Sequence, residues 1–295
     1  ASSDFDRVPH LKPVLSLANA FENSDLDNWA NRNQKLTTYS MLDQNYILEP
    51  KLDGLTMVVT YRDGQLYTAV TRGDGSEGDN VTANARTIRN LPLSIPNNMS
   101  HGATTVPKLL VVRGEVLFTN DDFKRFNEAE IAKGSEAYKA ARNAASGSLK
   151  QKYPTVTGSR PLSFFVYDIM VIDDAIQPLT HYEALLYLHN LGFAVVPYVE
   201  KVSSLDKAKE ALKRWDVSRK DFIFETDGVV IKIDNIKIND SLGYSGKDPR
   251  GSVAYKFKAE EAVTKLLDVT WTVGRSGRLT PNAVLEPVYL GGTTI

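Results

Sequence analysis

Apolar and polar positions alternate with a period of two through much of this chain, which predicts strands. Tyr46-Ile47-Leu48 is an apolar run that extends towards Lys51. Leu55–Tyr61 and Gln65–Thr71 flank Asp63-Gly64, a pair that favours a tight hairpin turn. Leu109–Phe118 reads as another strand, and Leu162–Ile172 is a nearly unbroken β run of the kind buried on both faces. Later strands are expected over 227–234, 252–258, 262–273 and 283–290, with Gly274–Arg278 as a link between the last two. Helical signals fall between these runs. Ser24 or Asp25 offers an N-cap for a helix to about Arg32, and Val81–Asn90 is helix-like. Thr119 or Asn120 starts a helix to about Lys133, where Gly134 stops it, and a further helical stretch covers 136–150. Thr180 and Glu183 form a capping box for a helix ending before Gly192, and Ser203 or Ser204 opens one reaching Trp215. Residues 1–20 read as irregular, 72–79 as a glycine-rich acidic loop, and Pro92, Pro96 and Pro107 enforce a second loop. Strands and helices mix without regular alternation, which predicts an α+β fold of antiparallel sheets flanked by helices.

Composition narrows the function classes. The chain has 295 residues, 42% of them hydrophobic, enough for a substantial core. Thirty-five Lys and Arg against 36 Asp and Glu give a net charge of −1, so any polyanion must be met by a local patch. Cysteine is absent, which excludes disulfides and thiolate metal sites within the chain. No apolar run of about 18 residues and no signal-peptide pattern occurs, so a soluble cytoplasmic monomer without membrane contact is the default. The ends, Ala1-Ser2-Ser3-Asp4 and a strand-like stretch to Ile295, suggest a fragment.

Glu49-Pro50-Lys51-Leu52-Asp53-Gly54 carries the candidate chemistry. On a strand, Glu49 and Lys51 share a face. A lysine nucleophile must lose its proton, and an ordinary value near 10.4 makes the free amine scarce at neutral pH. Two flanking carboxylates work against that loss, so a nucleophilic Lys51 requires further cations. Taken alone, the hexapeptide is better explained by a surface ion pair beside a turn. Other charged positions lie in strand-like sequence: Arg72 in Thr-Arg-Gly-Asp-Gly, Glu115 in Arg-Gly-Glu-Val, Asp227 and Lys232 in Asp-Gly-Val-Val-Ile-Lys, and Lys256 in Ala-Tyr-Lys-Phe-Lys. Lys232 and Lys256 are flanked by apolar β residues, as if pointing into a pocket where an anion would be needed. His10, His101, His181 and His189 lack metal-ligand spacing and are assigned no chemistry; the stretch around Trp271 is expected in a core.

In this order, the stretches resemble the nucleotidyltransferase motifs of the ligase and capping-enzyme superfamily, most closely those of bacterial NAD-dependent DNA ligases. Pro13–Asn19, Lys51–Gly54, Thr71–Gly75, Phe165–Tyr167, Asp227–Lys232, Tyr255–Phe257 and Val273–Gly277 carry the likeness, and Arg142–Leu149 matches a segment peculiar to the NAD-dependent branch. The resemblance implies a DNA ligase adenylation fold, ATP-grasp-like, with residues 1–45 as an arm and helix, 46–281 as the nucleotidyltransferase domain and 282–295 as the start of an oligonucleotide-binding fold. It implies that Lys51 takes AMP from NAD, releasing nicotinamide mononucleotide, and passes it to the 5′-phosphate of nicked duplex DNA. Catalytic roles then fall to Lys51, Asp53, Asp227, Lys232, Lys256, Arg142 and Arg219. NAD contacts fall to Glu49, Leu52, Arg72, Glu115, Tyr167, Lys232, Lys256, Ser16 and Leu17, with Lys232 and Lys256 at the AMP phosphate, Glu115 at a ribose hydroxyl, Tyr167 stacked on adenine and Glu49 at its edge. Asp53 and Asp227 would hold Mg²⁺. Two other readings stay open: an ATP- or GTP-charged cousin, and an inactive nucleic-acid-binding module. The sequence departs from the family at Ala140 and Ala141, where Asn-Pro is usual, and at Lys150, which replaces an arginine. The family's N-terminal module for nicotinamide mononucleotide, its zinc finger, helix-hairpin-helix repeats and C-terminal domain lie outside these residues. The expectation is a chain that holds AMP but reacts poorly with NAD and seals no nicks alone.

Overall fold

Short-range chemistry sets most element boundaries in the computed structural model, which describes residues 5–96, 106–173, 177–246, 248–257, 262–290 and 293–294. The opening arm contains two short strands, β1 (Arg7–Pro9) and β2 (Ala18–Ala20), where the sequence pattern shows only irregular chain. Helix α1 (Asn23–Gln34) has Glu22 at its N-cap, two residues before the expected Ser24, with the Asp25 carboxylate accepting from the Phe21 and Glu22 amides. β3 (Tyr46–Leu52) carries the lysine hexapeptide, and β4 (Leu55–Arg62) and β5 (Gln65–Thr71) form the predicted hairpin. Asp63 and Gly64 have φ of 46° and 73°, the left-handed pair that a two-residue turn demands.

After β6 (Glu77–Asp79), the helix expected over 81–90 shrinks to α2 (Thr82–Ala85). Thr87 donates its hydroxyl to the Asn84 carbonyl, and the amides of Thr87, Ile88 and Leu91 bond three residues back, so the chain continues as turns. β7 (Leu109–Leu117) leads through the Thr119 cap to α3 (Asn120–Ala132), closed by Gly134 at φ 85°. The next helix, α4 (Ala141–Leu149), begins five residues later than the pattern suggests, because the Asn127 side chain takes both the amide and the carbonyl of Tyr138.

α5 (Pro154–Gly158) precedes β8 (Ser163–Asp173). β8 is not buried on both faces: Phe164 and Val166 are buried, while Tyr167 and its successors are half-exposed along a cleft. The expected capping box opens α6 (His181–Asn190), and Ser204 caps α7 (Leu205–Ser218) after β9 (Glu200–Val202). β10 (Thr226–Ile233), α8 (Ile236–Ser241), the paired β11 (Tyr244–Ser245) and β12 (Asp248–Pro249), and β13 (Ser252–Lys256) complete the larger unit.

Two sheets organise that unit, with strand orders β2-β13-β10-β3-β9 and β5-β4-β7-β8. All their pairings are antiparallel except β2 with β13. One buried cluster, including Trp29, Tyr46, Leu48, Trp215 and Phe224, lies against the first sheet; a second, including Met57, Tyr61, Phe118 and Phe164, lies against the other. Two cores leave facing strand positions free to line a cleft between the sheets.

The chain divides into compact units between Phe257 and Lys258; the resemblance assigns residues through 281 to the nucleotidyltransferase domain. In the smaller unit β14 (Leu266–Val273) pairs with β15 (Leu279–Leu285), and the expected link at 274–278 is their turn, with Gly277 at φ 76°. β16 (Tyr289–Leu290) pairs with β17 (Thr293–Thr294). Trp271 is 62% exposed rather than core. Among the described residues, no helix is long and apolar enough to cross a membrane.

Candidate active site

The bulge in β10 prepares the centre of the cleft. Its pairing with β3 shifts register between Thr226 and Val229, which takes Asp227 and Gly228 out of that ladder. Gly228 stands opposite Lys256 of β13, where a Cβ would meet the Tyr255 carbonyl oxygen at 2.2 Å. Asp227 thereby reaches both lysines: Lys51 Nζ lies 2.9 and 3.1 Å from its two carboxylate oxygens, and Lys256 Nζ lies 3.1 Å from Oδ2. Burial opposes ionisation of Asp227, but the two ammonium groups override it and hold its carboxyl below the ordinary range. One carboxylate faces two ammonium groups, so the cluster carries positive charge that a phosphate would neutralise.

Lys51 is fixed from both sides of its strand end. The Thr226 hydroxyl donates to the Lys51 carbonyl at 2.8 Å. Gly54 turns the chain so closely past β7 that a Cβ would sit 2.3 Å from the Val116 carbonyl oxygen. Asp53, just before it, accepts from Arg142 of α4 at 3.1 Å.

Deeper in the cleft lies a second charged group. Glu49 is 2% exposed and accepts from Lys232 Nζ at 2.8 Å and from His181 Nε2 at 2.5 Å, one donor on each oxygen. Burial pushes Glu49 up, yet Lys232 and His181 outweigh it and hold the carboxyl at about 2. Lys232 also donates to the Tyr167 carbonyl at 3.1 Å and lies 5.4 Å from that ring's centroid. The Tyr167 hydroxyl accepts from Arg113 Nε at 3.0 Å, and Arg113 reaches the Leu15 carbonyl as well. Beside them Glu115 accepts from the Thr56 hydroxyl at 3.1 Å, and burial pushes its carboxyl up to about 7.

These groups line one cleft of about 990 Å³, roughly the upper size of small-molecule sites. Of the residues singled out in the sequence, Ser16, Leu17, Glu49, Lys51, Leu52, Asp53, Arg72, Glu115, Arg142, Tyr167, Lys232 and Lys256 line it, and Asp227 joins it through its lysine contacts. Arg72 donates to the Ser16 hydroxyl at 3.1 Å, tying the opening arm to the cleft wall. Lys232 forms its ion pair with Glu49 rather than with the Asp227 group. Arg219 stands outside: it pairs with Asp216 and lies 4.7 Å from the Phe257 ring centroid. Lys150 also stands outside, 2.7 Å from Asp79, which takes Arg7 on its other oxygen.

His181 and Arg113 are functional candidates missed in the sequence. The Thr180–Glu183 box could place His181 at the first position of a helix, but its partner Glu49 is 132 residues away. Arg113 is visible only as part of Arg-Gly-Glu, with no sign that it faces Tyr167. Among the described residues, no group of three His, Cys, Asp or Glu side chains could hold a metal ion, and Asp53 and Asp227 already have cationic partners.

A family model described as NAD-dependent DNA ligase adenylation domain matches residues 2–260, and one described as NAD-dependent DNA ligase OB-fold domain matches 263–295. A DNA ligase of Chloroflexus aurantiacus is 43% identical over 298 residues, spanning 100% of this chain and 42% of that protein. DNA ligases of Roseiflexus castenholzii and Thermomicrobium roseum are each 43% identical, covering 100% and 99% of this chain and 41% of theirs. The chain thus spans about two-fifths of the length of these relatives.

Proposed function

Because this chain belongs to the NAD-dependent DNA ligase adenylation-domain family, we propose that Lys51 accepts AMP from NAD and passes it to the 5′-phosphate of nicked DNA. The observation that carries the proposal is the pairing of Lys51 and Lys256 on the single carboxylate of Asp227. An α-phosphate entering between the two lysines would take over the anion's role at Lys256. It would meet the Lys51 amine at its phosphorus, with Asp227 positioned to receive the amine proton. The N–P bond forms as the bond to the departing nicotinamide mononucleotide phosphate breaks, and the electron pair leaves with that phosphate. The 5′-phosphate of DNA then displaces lysine from the adenylate, and the 3′-hydroxyl displaces AMP to seal the strand.

The remaining roles follow the cleft's charge pattern. Glu49, Lys232 and Tyr167 would receive the base, with the Tyr167 ring as its stacking face. Glu115 would accept or donate at a ribose hydroxyl, and Arg72 and Arg142 would meet phosphate or ribose oxygens during the transfers. Arg219, outside the cleft, would act on DNA. A magnesium ion would fit Asp53 or Asp227 with water and phosphate oxygens completing its ligands, because the described side chains supply too few oxygens by themselves. A soluble cytoplasmic setting suits this chemistry.

Intact-mass measurement tests the reading. The chain, and a version with the family's nicotinamide-mononucleotide module joined in front, are incubated with NAD, ATP or GTP. An AMP adduct from NAD alone in the joined protein, absent from Lys51→Ala, is expected. Adducts from ATP or GTP instead would replace the NAD assignment with a superfamily cousin.

A further inference from the structure

Among the described residues, His181 is a buried titratable side chain of the cleft that the proposed transfer leaves unused, and its setting is built. The amide of His181 donates to the Asp234 carbonyl at 2.7 Å, and the next amide, of Tyr182, donates to the Asp234 carboxylate at 3.0 Å. These bonds fix the first turn of α6 against the end of β10, and with it the imidazole. Its Nε2 lies 2.5 Å from Glu49 Oε1, a distance that requires a proton between them, and the anionic carboxylate makes the imidazole the donor. Lys232 Nζ lies 3.0 Å from the same ring nitrogen. With Nε2 donating to Glu49, that approach joins two donors drawn to one carboxylate. Removal of the imidazole would free Oε1 and let Glu49 swing wholly onto Lys232.

We propose that His181 is a positioning residue for base selection: its Nε2–H holds Glu49 so that a carboxylate acceptor and the Lys232 donor stand side by side at the cleft. The inference rests on the adenylation reading given above. Side by side, an acceptor and an ammonium donor match a purine edge that offers an exocyclic amine beside an unprotonated ring nitrogen. Adenine has that edge. Hypoxanthine inverts both positions, offering a carbonyl oxygen beside a ring N–H, so it would leave Glu49 and Lys232 each facing a like group. His181 would touch no substrate; it would set discrimination through Glu49.

Calorimetric binding of AMP and of IMP to the 295-residue chain tests this without requiring nucleotidyl transfer. His181→Leu removes the donor, while His181→Gln keeps an N–H at about the Nε2 position. The expected result is preference for AMP in the unaltered chain, a loss of about tenfold in the AMP-to-IMP affinity ratio in His181→Leu, and retention of most of it in His181→Gln. If His181→Leu fails to fold, His181→Asn takes its place, since its shorter amide falls short of Glu49. Equal weakening of AMP and IMP, or an unchanged ratio, would reduce His181 to a structural role and overturn the proposal. Loss of the ratio in His181→Gln as well would overturn the donor argument. Failure of the unaltered chain to bind AMP would remove the adenylation reading and this proposal together, a result distinct from the others.

Discussion

Replacement of Glu49 by leucine removes the anion that two buried donors share. Lys232 is 12% exposed and His181 9% exposed at their side chains, so neither is well solvated once the carboxylate is gone. Breaking a buried pair by deleting one partner costs about 3–5 kcal/mol, because the remaining charge is left uncompensated. The pH dependence gives a second measure. Glu49 falls from an ordinary 4.5 to about 2 on folding. A depressed carboxyl stabilises the fold above its unfolded value and loses that contribution as pH drops through the folded one, here between about 4.5 and 2. At 1.36 kcal/mol per pKa unit the contribution at neutral pH is about 3 kcal/mol, the same order as the pair-breaking figure. Urea unfolding of the unaltered chain and Glu49→Leu, at pH 7 and again at pH 3, reads both. The difference should be several kcal/mol at pH 7 and smaller at pH 3. The double change Glu49→Leu with Lys232→Met should recover most of the loss, since it removes the stranded ammonium. A loss below about 1 kcal/mol at pH 7, or a double variant no better than the single, would refute a buried ion-paired cluster.

Three further outcomes follow from the same geometry. Glu115 has its carboxyl pushed up to about 7, so folding favours the protonated form, and its contribution to stability is lost as pH rises from about 4.5 through 7. Glu115→Gln should therefore gain up to about 3 kcal/mol in urea unfolding at pH 8 and nothing at pH 4. Gly54→Ala would place a methyl 2.3 Å from the Val116 carbonyl oxygen, and a loss of about 1–3 kcal/mol with a lower melting temperature is expected. Arg142 is 61% exposed at its side chain, so Arg142→Ala should change stability by less than about 0.5 kcal/mol while slowing AMP-adduct formation from NAD, in the chain joined to the family's nicotinamide-mononucleotide module, about a hundredfold.

Local signals in the sequence predict local structure well. Asp63-Gly64 gives the hairpin because both positions need left-handed backbone, and Thr180 with Glu183 gives the start of α6 because its cap is satisfied within four residues. Where a distant group intervenes, the pattern misleads. Asn127 holds Tyr138 and delays α4, and Thr87 with the turn bonds that follow cuts α2 short. The apolar run of β8 reads as two-sided core, although from Tyr167 onward it lines the cleft, because hydrophobicity does not say which neighbour is missing. The site shows the same division. Lys51, Asp227 and Lys256 can be picked out as residue types in strands, but their convergence depends on the β10 bulge. His181 has no chemical signature until Glu49 is placed beside it.

The proposed transfer makes Lys51 the residue that accepts AMP. Peptide mapping by tandem mass spectrometry, after NAD treatment of the chain joined to the family's nicotinamide-mononucleotide module, locates the modified side chain. AMP in phosphoramidate linkage on Lys51 is expected, released on later addition of nicked DNA and absent when Asp227 is changed to alanine. AMP on any other lysine, or an adduct that forms undiminished in Lys51→Ala, would contradict the proposed transfer.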